Sequence, residues 1–389
     1  MTRFVRALSI VLACASACAT GGHDDPRDLA RPEAPPAGED AGSEITPPAG
    51  TDTPCGQFCG QTFLHEVDNP PNLYFLVDRS SSMEAPIGNL SKYRAARKVL
   101  GELLTVIGHR VRFGASIFPL KSDDTCSPGF EIFPPTLGGL PACDGSLDPT
   151  LVAFLSAFGS YTPGGQTPTY AALSNLRPEL EGLDGDTYLV LITDGAPNCS
   201  SDDATCDAEW CLPNIEGYSY GQIACSPDFN CCDPANTGPA AGENCVDADR
   251  TSDEISQLAA HHIPTYVVGM PGAEPYVSVL NQFAEAGGTA RKGAVEYYAV
   301  TDEDDLQAAI YAIGTGVAIR CSIELDAPPD DPNEVNVYFD GELIPADPAD
   351  GWSWQDATTI QVNGGACDRL KSGDVIDARA VFGCDTVVR

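Results

Sequence analysis

Leu73-Tyr74-Phe75-Leu76-Val77-Asp78 runs directly into Arg79-Ser80-Ser81-Ser82-Met83. An unbroken apolar run closed by an acid has the character of a strand buried on both faces. Such a strand needs parallel neighbours and helices above and below it. The sequence on either side supplies both. Residues 91–108 (SKYRAARKVLGELLTVIG) read as an amphipathic helix, with Tyr93, Val99, Leu100, Leu103, Leu104 and Ile107 on one face. A strand follows at 111–118 (VRFGASIF), then helices at 151–158 and 169–183, and a second core strand at 187–193 (TYLVLIT). Helix 252–261, strand 264–269 (PTYVVG), helix 275–286, strand 295–300 and helix 302–313 complete the series. This alternation predicts an α/β fold, a doubly wound, mostly parallel sheet within residues 55–317.

The chemistry gathers where these strands end. Asp78, Ser80 and Ser82 have the spacing D-x-S-x-S, and a loop leaving a strand can aim alternate side chains at one point. Gly164-Gly165-Gln166-Thr167-Pro168-Thr169 stands immediately before a helix, and Asp194-Gly195 follows TYLVLIT. All three segments fall at the carboxyl ends of strands or in adjoining loops, where open α/β sheets bind ligands.

This set resembles the von Willebrand factor A domain and its metal-ion-dependent adhesion site. Three segments in the right order and context carry the resemblance, over about 250 residues. It implies that Asp78, Ser80, Ser82, Thr167 and Asp194 surround a divalent cation. Hydroxyl and carboxylate oxygens suit Mg²⁺ first, with Mn²⁺ or Ca²⁺ as alternatives, and do not suit soft metals. Two carboxylates offset the double charge and give a near-neutral site. The resemblance further implies one coordination position left to water or to an acidic side chain of a protein partner. The expected function is metal-dependent adhesion or protein binding, not enzymatic catalysis, because the set pairs no nucleophile with a general base. Two other readings stay open: a disulfide-stabilised structural protein of the cell envelope with an incidental metal, and a metal-dependent hydrolase.

Composition narrows the partners. The 389 residues carry a net charge of −35, with 56 acidic against 21 basic side chains, which excludes nucleic acid bound through a basic face. Sixteen cysteines are too many for a reducing cytosol and point to export. The N-terminus agrees: Arg3 and Arg6 precede a short apolar stretch that ends in Ala15-Ser16-Ala17-Cys18. This resembles the lipobox of bacterial lipoproteins, with Cys18 as the lipidated residue, Cys14 as the alternative and plain signal cleavage as a third reading. Residues 1–18 are therefore expected to be a signal segment, and the Pro-rich acidic residues 19–54 a linker. The expected location is the cell envelope, lipid-anchored, or the exterior. A lipid anchor would be the chain's only link to a membrane.

Seven cysteines lie in an insertion, 199–247, that begins just after Asp194 and is rich in Pro, Gly, Asn and Asp. A loop of this composition cannot hold itself with an apolar core, so disulfides are its expected staples. Being so near Asp194, it is also the candidate for partner specificity. Seven is odd, so at least one partner lies elsewhere or one thiol is free, and a bridge to the C-terminal module is the guessed solution. Cys126 is expected to pair with Cys143, and Cys55 with Cys59. Zinc is disfavoured, because paired C-x2-C knuckles are missing. Residues 318–389 change character to short alternating runs at 334–339, 359–362 and 378–382, with Asp340-Gly341 and Gly364-Gly365 as turns. They predict a small β-rich module. The acids Asp302, Glu303, Asp304 and Asp305 are read as a helix cap, not a second cation site.

Overall fold

The computed structural model describes residues 61–64, 70–120, 126–139, 146–199, 205–318, 320–325, 327–372, 375 and 378–388. Residues 1–54, with Cys14 and Cys18, lie outside the described residues, as do Cys55, Cys59 and Cys143.

Strand β1 (Gln61–Leu64) precedes β2 (Asn72–Asp78), helix α1 (Lys92–Ile107), β3 (Arg112–Phe118) and β4 (Phe130–Leu137). Helices α2 (Pro149–Gly159) and α3 (Thr169–Glu181) lead to β5 (Thr187–Thr193). After the insertion come α4 (Ala248–Ala260), β6 (Thr265–Gly269), α5 (Val277–Ala286), β7 (Tyr298–Ala299) and α6 (Glu303–Ala318). The central sheet runs in the order β7-β6-β5-β2-β3-β4, parallel except for β4. This is the doubly wound α/β sheet that the strand–helix alternation predicts. Chain order reverses between β2 and β5, so the crevice at the switch point opens beside Asp78 and Asp194.

Side chains of successive strand residues point to opposite faces. Leu73, Phe75 and Val77 of β2, with Val190 and Ile192 of β5, pack beneath α1, α2 and α6. Tyr74 and Leu76, with Leu189 and Leu191, pack on the other face against α3, α4 and α5. Phe154 of α2 anchors the first layer, with ring centroids 5.2 Å from Phe113 and 5.4 Å from Phe133.

Strand β4 lies between the expected strand 111–118 and the expected helix 151–158, a stretch in which the sequence predicts no strand. It is an antiparallel edge strand with register shifts against β3, and it carries Pro134 and Pro135. An edge strand tolerates prolines, because one side of it needs no ladder bonds. Cys126, just before it, pairs with Cys199 and not with Cys143. That bridge also replaces the expected one from insertion to C-terminal module. The other six insertion cysteines pair among themselves, as Cys206–Cys245, Cys211–Cys232 and Cys225–Cys231. The strand expected at 295–300 shortens to the two residues of β7.

The C-terminal strands are β8 (Ser322–Glu324), β9 (Val335–Phe339), β10 (Glu342–Ile344), β11 (Trp352–Trp354), β12 (Thr359–Val362) and β13 (Ala378–Phe382). They form a four-stranded sheet, β1-β13-β9-β10, and a three-stranded one, β8-β12-β11. Thus β1, which precedes the central sheet in sequence, is a strand of the C-terminal sheet. Gly364-Gly365 opens a helix, α7 (Gly364–Ser372), where the sequence reads as a turn. Cys367 on this helix bridges to Cys321. Val335, Phe339, Trp352 and Ile360 of the module join the same apolar core as α1 and α6. At the start of α6, Asp302 accepts the backbone N–H of Asp305 at 2.9 Å, a cap as the sequence predicts.

Candidate metal centre

Asp78 ends the most buried strand of the sheet and is itself fully buried. Its Oδ1 accepts the backbone N–H of Ser80 at 2.7 Å, and its Oδ2 accepts the Thr193 hydroxyl at 2.7 Å. The turn these bonds fix brings the Ser80 and Ser82 hydroxyls within 3.0 Å of each other. Ser82 then donates to Asp194 Oδ1 at 2.7 Å. Four of the five residues marked by the sequence therefore meet through direct bonds, across 112 positions of chain.

Thr167 joins through its loop. The Ser81 N–H donates to Gly165 O at 3.0 Å and the Gly164 N–H to Arg79 O at 2.6 Å, which docks the 164–167 loop on the serine loop. Asn198 clamps the other side. Its Oδ1 accepts the Thr167 N–H at 2.8 Å, its own N–H donates to Thr167 O at 2.9 Å, and its Nδ2 donates to Gln166 at 2.9 Å. Thr167 is buried, and no bond from its hydroxyl to the other four residues is present. Asn198 escapes a sequence reading because it stands outside the three motif segments.

A second residue missed by sequence changes the electrostatics. Lys92, the first residue of α1, donates from Nζ to Asp194 Oδ2 at 2.7 Å, with side-chain exposures of 7% and 0% for the pair. Gly272 lies against this pair with a positive φ of 110°. A Cβ there would stand 3.1 Å from Lys92 Nζ and 3.2 Å from Asp194 O. The near-neutral site expected from two carboxylates and a divalent cation is thus corrected to one carrying an added ammonium. One signal in the sequence marks Lys92. It lies in helical register with Ala95, Ala96, Val99, Leu103 and Val106, all buried, and a cation on an apolar stripe needs a partner.

Burial first, and then the charge of Asp194, push the Asp78 carboxyl up to about 7. The unfolded chain holds this group near the ordinary carboxylate value. The folded state then binds more protons between about pH 4 and 7, so the contribution of Asp78 to stability falls as pH rises through that window. In EDTA, wild type should lose stability relative to Asp78→Asn between pH 4.5 and 8. Urea unfolding of both proteins at the two pH values measures this, and parallel pH profiles would contradict it.

The insertion reaches the site from the side. Tyr276, four residues beyond Gly272, donates to Glu216 Oε1 at 2.8 Å. The Tyr218 hydroxyl is raised by the charge of Glu216 first and by Asp194 as a smaller contribution, so this part of the insertion stands within the field of the site. Tyr218, Tyr220 and Ile223, around a two-stranded turn, are exposed, and so is Trp210. The sulfurs of Cys206, Cys232 and Cys245 lie close together, but all three are held in disulfides and offer no thiolate to a metal.

The donor set fits a hard divalent cation. It consists of carboxylate and hydroxyl oxygens only, and the Lys92 ammonium already shows that Asp194 accepts a cation there. Asp78, Ser80, Ser82 and Asp194 would hold the ion, with Thr167 at the edge of the set.

No family model matches the chain. Among curated proteins it is similar to the uncharacterized protein YwmC of Bacillus subtilis (strain 168), with 24% identity over 175 residues that take in 42% of this chain and 73% of YwmC. Among solved structures it is similar to the pilus adhesin SpaC from Lactobacillus rhamnosus GG, with a TM-score of 0.45 and 16% identity over 82% of this chain. The chain spans 40% of the length of SpaC. The vWF domain of the type V pili tip protein Mfa5 from Porphyromonas gingivalis gives a TM-score of 0.38 and 12% identity, over 65% of this chain and 98% of that domain.

Proposed function

We propose that the protein is an exported adhesion or protein-binding module that captures an acidic side chain of a protein partner through a divalent cation. The cation is held at Asp78, Ser80, Ser82, Thr167 and Asp194, with Mg²⁺ favoured. The observation that carries this reading is the bonded cluster of carboxylate and hydroxyl oxygens at the switch point of the sheet. Ser82 donates to Asp194, whose other oxygen is taken by Lys92. That arrangement orients a ligand oxygen and does not activate a nucleophile. The disulfides of the insertion support export, with anchoring through Cys18 as the proposed form.

Charge shapes which partner can approach. The chain carries −35, and the insertion beside the site contains no Lys or Arg. An acidic surface is repelled within the roughly 8–10 Å reach of unscreened charge in physiological salt. A single carboxylate set among apolar neighbours is not, and Tyr218, Tyr220 and Ile223 offer such neighbours a place to pack. The test is a pull-down from envelope extract with the purified protein in Mg²⁺ or in EDTA. A partner retained in Mg²⁺ and released by EDTA is expected. Retention unaffected by EDTA would favour a structural envelope role with an incidental metal.

A further inference from the structure

We propose that Lys92 gives the cation-loaded site a net positive charge, so that cation and anionic ligand bind cooperatively. The inference rests on the cation reading above. Asp194 divides its two oxygens: Oδ1 accepts from Ser82 and Oδ2 from the Lys92 ammonium at 2.7 Å. Both members of the ion pair are buried, so solvent screens their charges little. The lysine is held at both ends. Its backbone N–H is bonded to Ala85 O at 3.0 Å, and its Nζ is bonded to Asp194 at 2.7 Å with the side chain only 7% exposed.

With Asp78 ionised, as above pH 7, two carboxylates and one ammonium leave a single negative charge in the metal-free site. A divalent cation turns this into a single positive charge held in a buried setting, which is costly unless an anion completes it. Without Lys92 the same cation would be neutralised by Asp78 and Asp194 alone, and would need no ligand. The lysine thus weakens the bare cation and strengthens the pairing of cation with carboxylate. A like-charged partner surface still repels, so the gain goes to an isolated carboxylate that can reach the metal.

Titration calorimetry with Mn²⁺, with and without acetate at matched free Mn²⁺, tests this on wild type and on Lys92→Met. In wild type, acetate should tighten Mn²⁺ binding severalfold. Lys92→Met should bind Mn²⁺ alone on the order of tenfold tighter than wild type and respond less to acetate. Lys92→Arg, which keeps the charge, should follow wild type. A folded Lys92→Met that binds Mn²⁺ no tighter would overturn the proposal, as would an equal acetate response in both proteins. Should Lys92→Met fail to fold, wild type decides alone: Mn²⁺ affinity indifferent to acetate rejects cooperativity. Absence of Mn²⁺ binding in every protein, with or without acetate, would instead show that the cation reading itself is wrong and would take this inference with it.

Discussion

Asp78→Ala is expected to lower Mn²⁺ or Mg²⁺ affinity by at least about a hundredfold, a loss of roughly 3 kcal/mol or more in binding free energy. Asp78 is one of two carboxylates in the set and is fully buried, so its charge meets little competition from water. The fold should survive. The substitution leaves the Thr193 hydroxyl and the Ser80 N–H without their acceptor, at about 1–3 kcal/mol each. It also removes a buried charge that faces Asp194 at neutral pH, which offsets much of that cost. Thermal unfolding in EDTA should therefore place the variant close to wild type. Adding cation should stabilise wild type by about 2.7 kcal/mol at a hundredfold excess over Kd and leave Asp78→Ala almost unchanged. Asp304→Ala, in the exposed acidic cluster at the start of α6, should change neither quantity. Calorimetric titration of the three proteins decides the matter, and an unchanged heat in Asp78→Ala would remove the site assignment.

The parts of the fold that could be read from sequence are those buried on both sides. Leu73 to Asp78 and Thr187 to Thr193 are continuous apolar runs because each touches two helical layers, and their ends carry Asp78 and Asp194. The parts that escaped depend on long-range neighbours. Strand β4 carries two prolines and lies at an edge, where alternation is weak and proline is allowed. The Cys126–Cys199 bridge joins residues 73 positions apart, and spacing carries no trace of it. Strand β1 finds its partner in β13, at the other end of the described chain. The candidate site divides in the same way. Its oxygen donors sit in short motifs and were legible. The residues that set their position and charge, Asn198 and Lys92, come from outside those motifs and are recruited only by the folded sheet.

Reduction of the disulfides should unravel the insertion and leave the central sheet standing. Between residues 205 and 247 the regular structure consists of helical pieces of three to six residues, such as Leu212–Ile215 and Pro239–Asn244, and one hairpin of two-residue strands. Its buried interior is made of Cys211, Cys225, Cys231, Cys232 and Cys245, joined at the margin by Cys206 and Phe229. Helical pieces this short have no stability of their own. Each bridge contributes roughly 2–4 kcal/mol, and with so little other apolar area the folded insertion cannot outlast the loss of all of them. The central sheet is different. It is packed on both faces by whole helices, and it contains no disulfide of its own among the described residues. In dithiothreitol, chymotrypsin should therefore cut at Trp210, Tyr218, Tyr220 or Phe229, while trypsin finds no site between 199 and 247, which holds no Lys or Arg. The oxidised protein should resist the same chymotrypsin treatment, although Trp210, Tyr218 and Tyr220 are already exposed, because cleavage needs a locally unfolded backbone. Far-ultraviolet circular dichroism should change little, since α1 to α6 lie outside the insertion. Mn²⁺ affinity should stay within about tenfold of wild type, because the donors remain on the sheet and Asn198 keeps its hydrogen bonds to Thr167. Global unfolding at the same reductant concentration would show that the bridges support the sheet itself. Cation binding that survives while partner capture is lost would place recognition in the insertion and attachment in the metal.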